Sequence, residues 1–472
     1  MKQLLIIIFI LIAGGAKGYT KDFDYSHIAP HPRLLLKEGE ERNIHIALQK
    51  STVLQAFHKR ILDYCDETLK EAPVKRIKEG KRLLGVSRIV LKRVFYLSYA
   101  YRMTGEKEYL RRAEKEMLAA ASFIDWNPSH FLDVSEMSMG LAIGYDWLFN
   151  ELLPDSRKKI RQAIVEKAIE ASKTKHASFY QSRTNWNQVC NGGLVCSALA
   201  IYEDEPEKTK EIINKALQTV PLALECYAPD GGYPEGFGYW SYGTSYQVML
   251  NDALESSLGH DAGLSDYPGF LQSAQYIQYM TAPTGDCFNF SDASPKAYGN
   301  IMMFWFAHKT KNPSLLWLEK KYLNDANLEF GEYLEERFLP CLLIFASRID
   351  LDEVISPKGN TWHSIGTTPV YIYRSGWNYK TDTYLGVKGG TASTSHAHMD
   401  AGSFIYEQAG VRWAMDLGMQ DYYSLESKGV DLWNTKQYSQ RWQVFRIGSS
   451  AHNTLTIDGK SHQVNGFAEL KS

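Results

Sequence analysis

The sequence has no CxxC pair, no strong charge of either sign, and no long apolar run beyond its N-terminal stretch. Its six cysteines, Cys65, Cys190, Cys196, Cys226, Cys287 and Cys341, are widely scattered. A chain of this size needs no disulfide framework, so most read as buried free thiols, with Cys190 and Cys196 near enough in sequence to be an exception. Lys and Arg total 52 against 54 Asp and Glu, a formal net charge of −2. There is then no global basic field to attract nucleic acid, and an anionic ligand must be met by a local patch. The N-terminal apolar stretch, residues 4–12, is too short for a comfortable membrane span. With Lys2 before it and Ala16-Lys17-Gly18 after it, residues 1–18 read as a secretory signal. The expected location is therefore the periplasm or the exterior. No Cys stands near the cleavage site, so a lipid anchor is not indicated.

What is present is a chain of 472 residues, long enough to imply two domains. Hydrophobic residues make up 44% and charged residues 22%, ordinary for a globular protein. Aromatic residues reach 13%, with 29 Tyr and 11 Trp. Sugar-binding clefts are one reason for such richness, and a large helical core with Tyr at its rim is the other.

From about residue 38 to residue 347, apolar residues recur at three- and four-residue spacing. The pattern predicts helices over residues 86–103, 106–123, 137–152, 156–173, 188–202, 207–226, 242–258, 267–280 and 301–310. Similar helices joined by short loops imply helical hairpins arranged as a toroid, over residues 19–350. Near Ile355 the pattern changes. Residues 371–375, 383–387, 403–407 and 454–457 are β-branched and aromatic and predict strands. Gly389-Gly390, Gln408-Ala409-Gly410 and Asp458-Gly459-Lys460 read as the turns between them. The fold class expected is an α/α toroid followed by an antiparallel β-sandwich over residues 355–472. Four or five strands are few for a sandwich, so the β-domain reads as short or truncated.

Three constellations carry candidate chemistry. Arg183-Thr184-Asn185-Trp186-Asn187-Gln188 opens a helix. Asn at a helix start is most often a cap, although an amide also binds a carboxylate without adding charge. Asp230 to Gly243 is a Gly-rich, aromatic loop that reads as a sugar-binding rim. Tyr239 or Tyr242 there could act as acid or base if a nearby positive charge lowered the phenol pKa. Ser395-His396-Ala397-His398-Met399-Asp400 places two histidines on one face of an expected strand. With Asp416 and His452 it supplies the residue types zinc takes, although scattered His and Asp are usually not a metal site.

Taken in order, these pieces resemble the heparinase II/III-like polysaccharide lyases. The resemblance rests on His31-Pro32-Arg33-Leu34, Tyr145-Asp146-Trp147, Ala200-Ile201-Tyr202 with Glu205-Pro206-Glu207, and Tyr233 through Tyr239. It continues through Arg374-Ser375-Gly376-Trp377, His396 through Gly402, and Ala451-His452-Asn453. The family fold is a toroid followed by a β-sandwich. The resemblance implies Tyr239 and His396 as catalytic residues, with Tyr242 the lesser candidate. It places Asn185, with Asn187 close behind, against the substrate carboxylate. His398, Asp416 and His452 would hold a structural zinc. Trp186, Glu235, Trp240 and Tyr242 are expected to contact substrate. The reaction implied is β-elimination on a uronic-acid polysaccharide, with no nucleic-acid partner and no membrane span once the signal is removed. Two other readings stay open: a toroidal hydrolase recruiting Asp230, Glu235 and Asp292 as paired carboxylates, and a glycan-binding protein without turnover.

Overall fold

The computed structural model describes residues 23–324 and 335–471, so the signal read at 1–18 lies outside the described residues. The first domain is helical. Phe131–Trp147 is buried along its whole length, and Asn185–Ala200 along nearly all of it. Helices with no solvent-facing polar side must sit inside. These two pack on each other, then on Leu84–Thr104 at one side and Gly236–Leu258 at the other. Small residues let the inner helices approach. A Cβ at Gly193 would meet the Ser135 carbonyl oxygen at 2.5 Å, and one at Gly140 would meet the Leu91 Cα at 2.7 Å. Amphipathic helices such as Lys107–Ala121 and Pro206–Thr219 cover the outside, each against an inner helix. The arrangement is the toroid of hairpins expected.

The N-terminal segment is strapped to this ring. Buried Asp146 accepts from the backbone N–H groups of Arg33 at 2.9 Å and Leu34 at 2.8 Å, and from His31 Nδ1 at 2.6 Å. Arg33, fully buried, pairs with Glu203. The expected helix over residues 156–173 begins at Pro154, runs to Ile164, and loosens into a π-helical turn over Val165–Ile169. Cys190 and Cys196 are free buried thiols on one helix, and the other four cysteines are free as well. No helix among the described residues is long and apolar enough to cross a membrane.

The second domain is built on one antiparallel sheet of five strands in chain order: β1 Thr361–Ser364, β2 Val370–Arg374, β3 Tyr384–Lys388, β4 Phe404–Gln408 and β5 Val411–Ala414. Alternation sends Val370, Ile372, Tyr384 and Ile405 inward. The inner face lies on the end of the toroid: the Tyr384 hydroxyl donates to the Tyr279 carbonyl at 3.0 Å, and a Cβ at Gly386 would meet the Phe288 ring at 2.7 Å. The outer face carries Tyr371, Tyr373, Phe404 and Trp413, all exposed. The strand expected over residues 454–457 does not form. Only Ile457 makes a bridge, to Lys460, and Leu455 and Ile457 lie exposed.

Candidate active site

The histidine stretch is not a strand. Residues 391–400 form turns, and His396 takes a left-handed conformation at φ 58°. The backbone pairs instead with a loop of the first domain, where the Asp292 N–H donates to the His396 carbonyl at 3.1 Å. Both histidines therefore reach one carboxylate. His396 Nδ1 donates to Asp292 Oδ2 at 3.1 Å, and His398 Nε2 donates to Oδ1 at 2.9 Å. The guanidinium of Arg441, buried, stands 3.5 Å from Oδ2 and donates to the Ala397 carbonyl at 2.8 Å. Burial alone would raise the Asp292 carboxyl, but the bonds from His396 and His398, with the charge of Arg441, outweigh it and hold the group well below the usual carboxylate range.

Tyr239 completes the group from the other domain. The 230–243 segment is a loop only as far as Glu235, because a helix starts at Gly236. Tyr239 sits on its first turn and stacks on His396, ring centroids 3.9 Å apart. Its hydroxyl is 2.8 Å from the Tyr422 hydroxyl, which donates to Asp292 Oδ2 at 2.8 Å. Tyr422 has one proton and the carboxylate only accepts, so Tyr239 donates to Tyr422. Burial pushes both phenols above their ordinary value. The expectation that positive charge lowers the Tyr239 pKa is corrected accordingly.

The two asparagines separate. Thr184 caps the helix, its hydroxyl accepting from the Trp186 N–H. Asn187 spends both amide hydrogens on the carbonyls of Ser182 and Thr219, each at 2.9 Å, and is structural. Asn185 instead faces Glu235, donating Nδ2 to Oε2 at 3.2 Å; Tyr233 donates to the same oxygen at 3.1 Å. Glu235 Oε1 is buried without a partner. Trp186 is half-buried and edge-on to His130.

Trp240 and Tyr242 do not reach this group. On a helix, the residue after Tyr239 turns about 100° away. Trp240 is 0% exposed and stacks on Phe306, so it offers no face to a substrate. Tyr242 is buried and donates to Glu136 at 3.1 Å, within a cluster held by Arg88 and Arg337. Between the domains opens a cleft of about 450 Å³, lined by Arg183, Thr184 and Glu235 on one side and Thr367, Thr394 and Ser395 on the other. Ser395 adjoins His396, and Thr184 adjoins Asn185.

His452 Nδ1 donates to Asp416 Oδ2 at 2.7 Å, and its ring lies 5.3 Å from that of His398. Burial lowers the His452 imidazole, but the Asp416 bond outweighs it and the net direction is up. His398 Nδ1 and His452 Nε2 are buried without partners. Each ring thus has one nitrogen on a carboxylate and the other unused, the pattern of histidines that ligate a metal. Among the described residues the three candidate ligands stand as a His–Asp pair beside a second ring, not as a closed cage.

Sequence reading missed Tyr422 and Arg441, and saw Asp292 only as a hydrolytic carboxylate. No local signal marks them, since loops far apart in the chain deliver them to one point. Residues 370–470 match the family model described as heparinase II/III-like, C-terminal. No curated protein matches the chain in sequence. A crystal structure of heparinase III is 14% identical with a TM-score of 0.50, over 84% of this chain and 58% of that one. A heparinase III with methylated lysines is 15% identical over the same shares, with a TM-score of 0.47. Heparan sulfate lyase HepC from Pedobacter heparinus, a mutant, is 12% identical over 92% of this chain and 70% of that one, with a TM-score of 0.47. The chain thus spans 58% of the length of the two heparinase III structures, and the likeness to the one with a TM-score of 0.50 is one of fold. Residues 370–470 are thus similar to the C-terminal part of heparinase II/III-like proteins.

Proposed function

We propose that this protein is a polysaccharide lyase that cleaves a uronic-acid polysaccharide by β-elimination. The observation that carries the reading is the Tyr239–His396 stack across the domain boundary, near a cleft whose wall holds Glu235, with Asn185 bonded to that carboxylate. The C5 proton lies next to the uronate carboxylate, which is a poor electron sink until its charge is met by hydrogen bonds. Asn185, bonded to Glu235 at the cleft wall, would meet that carboxylate. His396 uses Nδ1 for Asp292, which turns Nε2 away from those bonds and toward the role of base. Tyr239 rests as a phenol because burial raises its pKa, so it suits the other step, protonating the glycosidic oxygen as the C4–O bond breaks. The product carries a C4–C5 double bond, and no water is consumed.

The three carboxylates a hydrolase would recruit are committed elsewhere. Asp230 accepts from the Ile365 N–H at 2.7 Å, Glu235 faces Asn185, and Asp292 holds both histidines. His398 and His452 would supply ring nitrogens, and Asp416 an oxygen, to a structural zinc. Such an ion supplies a fixed positive charge that ties three loops together. An exported location follows from the reading of residues 1–18.

The test is a panel of heparin, heparan sulfate, chondroitin and alginate, read by absorbance at about 230 nm, where the unsaturated uronate absorbs. Tyr239→Phe is expected to lower kcat by about 100-fold or more. Full activity in that variant, or chain cleavage without the absorbance rise, refutes the assignment. Binding without cleavage would mark a glycan-binding protein instead.

A further inference from the structure

Trp433 stands beside the site and is 49% exposed. Trp is among the residues most buried on average, so a half-exposed ring with a fixed orientation calls for a cause. Its orientation is fixed on three sides. Its ring lies 4.9 Å from that of Tyr422 at 71°, and 5.8 Å from that of His396 at 89°. Its Nε1–H donates to Glu426 Oε1 at 2.9 Å. Glu426 is anchored in turn, its other oxygen 3.7 Å from the Arg82 guanidinium of the helical domain. The polar tip of the indole is thus satisfied, and what remains free is apolar ring surface next to the reacting groups.

We propose that Trp433 is a sugar-stacking platform of this site, taking the apolar C–H face of a pyranose next to the scissile bond on the His396 side. The inference rests on the uronan reading above and adds a subsite to it. A stack needs no charge and no sequence of sulfates, so it fits a chain with a formal net charge of only −2. The Glu426 bond and the two ring contacts hold the indole still before the ligand arrives, which reduces the ordering cost of binding.

The experiment measures affinity separately from turnover. Hexasaccharides of heparan sulfate, chondroitin and alginate are titrated calorimetrically into the full chain carrying Tyr239→Phe, and into the same chain with Trp433→Ala or Trp433→Phe added. The alanine variant is expected to bind the preferred hexasaccharide about tenfold more weakly or worse. The phenylalanine variant, which keeps a stacking face, is expected to stay within about threefold. Equal affinity in the alanine variant overturns the platform, and so does an equal loss in both variants. A Trp433-dependent affinity in a protein that cleaves nothing leaves the platform standing and removes the lyase. Absence of binding to any of the three probes removes both.

Discussion

Replacing Asp292 by Asn tests the centre of the site with the smallest change of shape. The native carboxylate accepts from Tyr422 and His396 on Oδ2 and from His398 on Oδ1, with Arg441 beside it. An amide can present its oxygen to only one of those sides. If the oxygen faces Tyr422, the NH₂ meets the His398 Nε2–H, and that ring must move its proton to Nδ1. If the oxygen faces His398, the NH₂ meets donors from Tyr422, His396 and Arg441. Either way a buried guanidinium loses its counter-charge. A hydrogen bond to a charged group contributes about 1.5–3 kcal/mol, and breaking a buried ion pair costs about 3–5 kcal/mol. Arg441 keeps its bond to the Ala397 carbonyl, which offsets part of this. The expected loss is about 3 kcal/mol of stability, read by urea unfolding followed through tryptophan fluorescence. In turnover, KM should stay within about threefold while kcat falls by about tenfold or more, because Tyr239 and His396 lose their shared anchor. A variant within about 0.5 kcal/mol of the parent and with full kcat would refute the argument, since that is the range of an ordinary surface change.

Two further outcomes follow from groups away from the reacting atoms. Glu319 is buried, one oxygen accepting from the Asn300 N–H at 3.0 Å and the other without a partner, and burial pushes its carboxyl from 4.5 up to about 8. Between those values the unfolded chain has released a proton that the folded chain keeps, so stability falls as pH rises from 4.5 to about 8 and is level above. Glu319→Gln removes that slope, and its advantage should grow to as much as about 4 kcal/mol at pH 8.5. Melting temperatures of the two proteins at pH 5 and pH 8.5 check this, and a constant gap between them contradicts it. For the metal, elemental analysis of the purified protein should find about one zinc per chain, lost in His452→Ala, with chelation lowering the melting temperature. Metal-free protein that melts unchanged after zinc is added would count against the site.

Much of the architecture was legible because it rests on local patterns. The inner helices show as long apolar segments, and β2, β3 and β4 as β-branched and aromatic runs. The strand expected at 454–457 shows the limit. Its composition matches the others, yet it lacks a neighbouring strand among the described residues, and β-propensity acts only through such neighbours. The aromatic loop shows another. Once a helix starts at Gly236, its geometry decides that Tyr239 faces the β-domain and Trp240 the core. Read as a loop, all its aromatics looked equally available.

The two histidines make the same point at the site itself. Alternate spacing on a strand would have put them on one face for a reason internal to the strand. The actual cause is external: a left-handed turn at His396, and a loop that brings Asp292 between the rings. Sequence reasoning then divided them, one for chemistry and one for metal. The shared carboxylate joins them again. His398 turns one nitrogen toward the candidate metal position only because the other is held by Asp292, and Asp292 also sets His396 and, through Tyr422, Tyr239. A change at the candidate metal position would therefore reach the Tyr239–His396 pair through one side chain, Asp292.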